Sequence, residues 1–124
     1  MSPNSKNPQH QSLAQGRWYS LSLSAQLANI GSEFSRAYKN YFPVKTARFE
    51  GAFLRLDELL RLTLNNPALT FPQRKEIARL KETLYEGFFG NTPSKTHLDP
   101  LHSYFNHFAI WTNTNKSSSF DELK

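Results

Sequence analysis

Six apolar positions between Leu23 and Tyr41 constrain this chain more than any other feature. Leu23, Leu27, Ile30, Phe34, Ala37 and Tyr41 are spaced 4, 3, 4, 3 and 4 residues apart. That is the period of one face of an α-helix held for five steps. Ser22 stands just ahead of the stripe as N-cap, and Trp18 and Leu21 are placed to pack back on the first turns. Pro43 ends the segment, because the residue before a proline is pushed out of the α region. The spacing predicts a helix over 23–40. A second row on it, Ala28, Gly31, Ser32 and Ser35, carries only small side chains. Glycine in a helix interior costs ~1 kcal/mol relative to alanine. Either a neighbouring helix approaches closely at Gly31, which is the favoured reading, or the glycine is a tolerated surface residue.

Three further segments follow the same logic. A second helix is predicted over 45–64, burying Phe49, Ala52, Phe53, Leu56, Leu59, Leu60 and Thr63, and closed by Asn65-Asn66-Pro67. Leu54 and Leu62 fall off that face and can mark a second contact. Thr70 with Gln73 three residues on reads as a capping box, with Pro72 in the first turn. The third helix then buries Ile77, Leu80, Leu84 and Phe88, and Gly90-Asn91 stops it. After a polar loop from Asn91 to Leu98, Asp99-Pro100 reads as N-cap and N1 of a fourth, shorter helix. Leu101, Tyr104, Phe105, Phe108 and Trp111 or Thr112 line its inner side. No segment alternates with period 2.

These elements predict an all-α fold, an antiparallel up-down-up-down four-helix bundle over 17–113. A three-helix core crossed by the fourth helix, or a bundle completed by a second subunit, are the alternatives. Residues 1–16 and 114–124 are polar and without periodicity, and read as a disordered head and a flexible tail. The chain has 124 residues, the size of one domain. It has no cysteine, which excludes disulfides and cysteine-based zinc sites. No apolar run approaches the ~18 residues of a membrane span, and the N-terminus lacks the apolar core of a signal peptide. A cytoplasmic protein is expected.

Catalytic patterns are sparse. His97, Asp99, His102 and His107 cluster in sequence, but a metal site needs ligands that converge. His102 and His107, five apart, fall on different faces of a helix. No Glu-x-x-His pair of the kind used in bundle di-metal sites occurs. Glu33 and Asp57 sit where each could pair with an arginine at the edge of the bundle. There is no nucleophile elbow and no glycine-rich phosphate loop. No arginine has a histidine four to six residues on, as helical HEPN-type ribonucleases do. No metal, no cofactor and no enzymatic activity is expected.

The remaining signal is charge. The net charge is +5 and the pI about 9.6, which favours an acidic partner such as nucleic acid. Arg48 and Arg55, with Lys45 nearby, share one side of the second helix, and Arg74, Lys75, Arg79 and Lys81 crowd the start of the third. Arg36 and Lys39 lie near the end of the first. Some of this charge is ordinary helix pairing with Glu82 and Glu86.

The stretch RWYSLSLSAQLANIGSEFSRA resembles the opening of a family of small bacterial helical proteins, with the pattern R-W-x-x-L-S-L-x-E-Q-L-x-N-I-G-S-E-x-x-R. LRLDELLRLTLNNPAL, ARLKETLYEGFFGN and YFNHFA resemble that family's later helices. Ala25 stands where the family has glutamate, which removes half of a capping box at Ser22. The layout also resembles the four-helix bundles of diversity-generating retroelement accessory variability proteins and of 23S rRNA intervening-sequence proteins. That likeness implies a non-enzymatic homo-oligomer binding nucleic acid, RNA or DNA, or a nucleic-acid enzyme such as a reverse transcriptase. Arg48, Arg55, Arg74, Lys75, Arg79 and Lys81 are the candidate phosphate contacts. The alternative is a protein-interaction module anchored by Leu54, Leu62 and Trp18.

Overall fold

The computed structural model describes residues 16–91 and 94–123, with side chains described to residue 110. The described residues form an all-α helical bundle: one helical turn at 16–19, then α1 (Leu23–Tyr41), α2 (Phe49–Leu64), α3 (Phe71–Phe89) and α4 (Lys95–Leu123). The expected disordered head falls on residues 1–15, outside the described ones, apart from Gly16, which opens the first turn. The expected tail from Thr114 follows on from the described side chains, and the backbone helix of α4 runs through it to Leu123. No described helix is long and apolar enough to cross a membrane.

The local signals act largely as their chemistry dictates. The Ser22 hydroxyl accepts from the Ala25 N–H at 3.1 Å, so the cap survives the loss of glutamate at 25. Phe42, held extended ahead of Pro43, closes α1. Thr70 and Gln73 form the reciprocal capping box at α3, at 3.2 and 2.9 Å. Leu27, Ile30, Phe34 and Ala37 are buried on α1, as are Ile77, Leu80, Leu84 and Phe88 on α3.

Two helix starts differ from the sequence expectation. α2 begins at Phe49, four residues later than predicted. Thr46 is the reason: its N–H and hydroxyl donate back to the carbonyl and side chain of Asn40, at 2.7 and 2.8 Å, so the chain between is a turn. α4 begins at Lys95, five residues ahead of the expected first helical residue, with Pro100 inside it. Ser94 caps it, its hydroxyl accepting from the His97 N–H at 3.2 Å. Asp99 is free of capping because it accepts a hydrogen bond from the Tyr38 hydroxyl at 2.6 Å. Leu98, expected in a loop, is therefore helical and fully buried. Nor is α4 the shortest helix: α2 is, at 16 residues.

Packing follows from the faces. α1 packs against α2 and α4, and α3 against the same two. The 16–21 segment is fastened to the end of α2: Trp18 Nε1 donates to Thr63 Oγ1 at 2.9 Å and the Tyr19 hydroxyl to the Leu62 carbonyl at 2.8 Å. Buried Gln26, a residue the apolar stripe does not reveal, donates to the carbonyls of Trp18 and Leu21. Trp18 is thus core and not a surface anchor.

Gly31 answers the question posed by the small-residue row. A Cβ there would lie 2.5 Å from Phe105 Cβ, so α1 and α4 meet through the missing side chain. Gly51 has open space around it. Gly31→Ala should lower stability by about 1–3 kcal/mol through overpacking, although alanine is the better helix former. Gly51→Ala should raise it by about 0.5–1 kcal/mol. Urea unfolding of the two variants gives both signs in one experiment.

Candidate nucleic-acid interface

The end of α1, the 42–48 turn and the start of α2 form one corner. Thr46 ties the turn to Asn40, and Lys39, Lys45 and Arg48 all stand exposed around it. Lys45 Nζ lies 5.7 Å from the Tyr41 ring centroid and 5.4 Å from that of Phe49. The aromatic faces hold the ammonium near the surface without neutralising it. Among the described residues, none of the three cations makes an ion pair. Val44, 72% exposed, and Phe89, 51% exposed, are apolar neighbours, Phe89 reaching the corner through its contact with the Phe49 ring at 5.9 Å. Lys39 and Lys45 were visible in the sequence as near neighbours of Arg48. Their grouping depends on the Thr46–Asn40 tie, which no local pattern announces.

The six residues singled out from the sequence do not form one surface. Arg48 belongs to the corner. Arg55 is exposed but faces α1, its guanidinium 4.0 Å from Glu33 Oε2 and 3.7 Å from Glu58 Oε1. Arg74 is turned onto the α2–α3 connection, donating to the carbonyls of Leu64 and of Asn66. It fastens a turn. Lys75 and Arg79 are exposed one turn apart on α3. Lys81 is half-buried, its Nζ 5.7 Å from the Tyr85 ring centroid. Arg48 precedes the first residue of α2, and Lys75 sits beside the turn that follows its last. The 16-residue length of α2 therefore separates the two cationic groups, about 24 Å at 1.5 Å per residue.

Three of the carboxylates are engaged as acceptors. Tyr38 donates to Asp99, Tyr85 to Asp57 and Tyr104 to Glu76, each at 2.6 Å. Asp57 also accepts from Arg61 Nε at 2.7 Å, which raises the arginine's pKa. Burial and the carboxylate partner push all three phenols up, Tyr38 to about 12. His102 packs on the Tyr38 ring at 4.4 Å and on Phe34 at 4.9 Å. No group of three or more metal-ligating side chains converges among the described residues.

The raised Tyr38 pKa has a directional consequence. The neutral phenol is the form that donates to Asp99, so its contribution is complete below the ordinary tyrosine value near ~10. It is lost as the pH rises through about 12, where the folded-state phenol ionises. Melting temperature should fall over that window, and fall less in Tyr38→Phe. Circular dichroism melts between the two pH values, with tyrosinate absorbance alongside, check this. Comparison of the chain with protein-family models, with curated proteins and with solved structures returns no match.

Proposed function

We propose that this chain is a non-enzymatic, homo-oligomeric accessory protein of the cytoplasm that binds the phosphate backbone of nucleic acid. Its architecture is the antiparallel up-down-up-down four-helix bundle. The pairing of α1 with α2 through Tyr41 and Phe49 at one end, and of Trp18 with Thr63 at the other, supports that direction. So do Gly31 with Phe105 and Tyr38 with Asp99, and Tyr104 with Glu76. The reading implied by the retroelement accessory bundles, a partner that handles nucleic acid such as a reverse transcriptase, is compatible with it at the level of architecture.

The observation that carries the reading is the exposed trio Lys39, Lys45 and Arg48, unpaired among the described residues and grouped on one corner. Cations without carboxylate partners are the ones free to displace counterions from a phosphate chain. Lys75 and Arg79 would extend the contact along a second segment or on a neighbouring subunit. Arg55 and Arg74 take structural positions in this reading.

A protein-interaction module remains the second reading, and a specific observation favours it. Leu54 is the one apolar anchor expected from the sequence that is exposed, and Val44, Phe71, Phe89 and Ile110 are exposed as well. Leu62 is half-buried against the core.

Fluorescence anisotropy with labelled RNA and DNA separates the roles. The double reversal Lys45→Glu and Arg48→Glu should abolish binding at low salt. Three phosphate contacts on duplex predict a salt slope of about −2.7 in log K against log salt. Arg74→Ala should leave that binding intact and cost about 1–3 kcal/mol of stability, by orphaning two carbonyls of the α2–α3 turn. Unchanged retention in the double reversal would sink the nucleic-acid reading.

A further inference from the structure

Phosphate contact accounts for the cations of the basic corner but not for the apolar side chains that share it. Val44 is exposed in the turn beside Lys45, and Phe89 is exposed at the end of α3. Lys45 Nζ and the Phe89 ring lie against the same buried side chain, 5.4 and 5.9 Å from the centroid of Phe49. An ammonium and an open aromatic ring therefore flank one fixed point. A surface that met only phosphates would gain nothing from the ring.

The Phe89 ring is 51% exposed and yet firmly placed. It stands nearly perpendicular to the Phe53 ring at 4.7 Å and meets the Phe49 and Tyr85 rings at 5.9 Å each. Those contacts hold it from within and leave its outer part open. A ring already held loses little freedom when a flat partner settles on it. Glu86, one turn earlier on α3, is exposed as well, so the surface at the ring itself is not cationic. The ring suits an uncharged, flat part of a ligand, and Lys39, Lys45 and Arg48 suit an anionic part. A nucleic-acid strand carries both within each nucleotide. In a duplex the base faces are stacked on one another, and a protein meets base edges and phosphates. An unpaired strand leaves its bases free to stack on aromatic side chains while its phosphates follow the cations.

We propose that the basic corner and the end of α3 form a site for single-stranded nucleic acid, with one unpaired base stacked on Phe89 and the neighbouring phosphates on Lys45 and Arg48. This rests on the phosphate-binding reading of the corner and narrows its ligand from nucleic acid at large to an unpaired strand. Every base has a π-face, so stacking on one phenylalanine selects strandedness and not sequence.

The test is fluorescence anisotropy of the full chain with labelled oligothymidylate and oligouridylate of about ten nucleotides, within the site sizes of small single-strand binders, and with a duplex of the same length. Both single strands should bind more tightly than the duplex, and a difference between them tells DNA from RNA. Phe89→Leu, which keeps apolar bulk and removes the aromatic face, should weaken single-strand binding about fivefold to a hundredfold, the scale of one stacked base. Duplex binding should not change. A melting curve establishes that the variant is folded. Should it not fold, the Phe89 ring protons of the unmodified chain, followed by NMR, must move upfield on adding oligothymidylate. A duplex bound as tightly as the single strands, undiminished binding in folded Phe89→Leu, or ring protons that do not move overturns the stacking site and leaves the phosphate reading standing. If none of the three probes binds, both fall, and retention on phosphatidylserine vesicles in their place would assign the corner to a lipid surface.

Discussion

Phe88 is the residue on which the packing of this bundle depends. It is fully buried, and its ring meets Phe34 and Tyr41 of α1 at 6.3 and 5.5 Å and Phe49 and Phe53 of α2 at 5.1 and 5.8 Å. One side chain from α3 thereby joins both of the first two helices. Burying such a ring is worth roughly 1.5–3 kcal/mol, and each tilted or edge-on pair adds about 0.5–1.5 kcal/mol. A small domain has little core to spend, so the aromatic cluster makes up for modest length. It also fixes which ends of the helices meet. The end of α3 must lie beside the end of α1 and the start of α2, and the basic corner forms on the outside of that junction.

Around the cluster, polar bonds set register. Tyr38–Asp99 joins α1 to α4, Tyr85–Asp57 joins α3 to α2, and Tyr104–Glu76 joins α4 to α3. Trp18–Thr63 and Tyr19–Leu62 close the fourth side. Each uses a phenol or indole with an apolar body in the packing and a polar tip at its margin. The carboxylates in them are structural, and Glu33 lies between Arg36 at 3.4 Å and Arg55 at 4.0 Å.

The positive charge is not distributed as sequence spacing suggests. Arginines bond in planar, forked geometry and are readily recruited as fasteners. Arg55 and Arg61 pair with acids, and Arg74 caps a turn. The exposed cations near the α1–α2 turn keep their charge for solvent or for a partner. The site is therefore defined less by where basic residues occur than by which of them the fold leaves unused.

Local chemistry determined much of this protein from sequence alone. The 3.6-residue stripe of α1, the Ser22 cap, the Thr70–Gln73 box and the stop at Pro43 all rest on groups within a few residues of one another. Such interactions need no tertiary contact to be favourable, so the helices and their inner faces could be read directly. Choices between two available partners could not. Asp99 was free to cap a helix or to accept from Tyr38, and Arg74 to meet phosphate or the carbonyls of a turn. Trp18 was free to lie on the surface or to reach Thr63, forty-five residues away. Gly31 was a smooth spot until Phe105 was placed against it. In each case both options are chemically sound, and only the distances set by the packed helices decide between them.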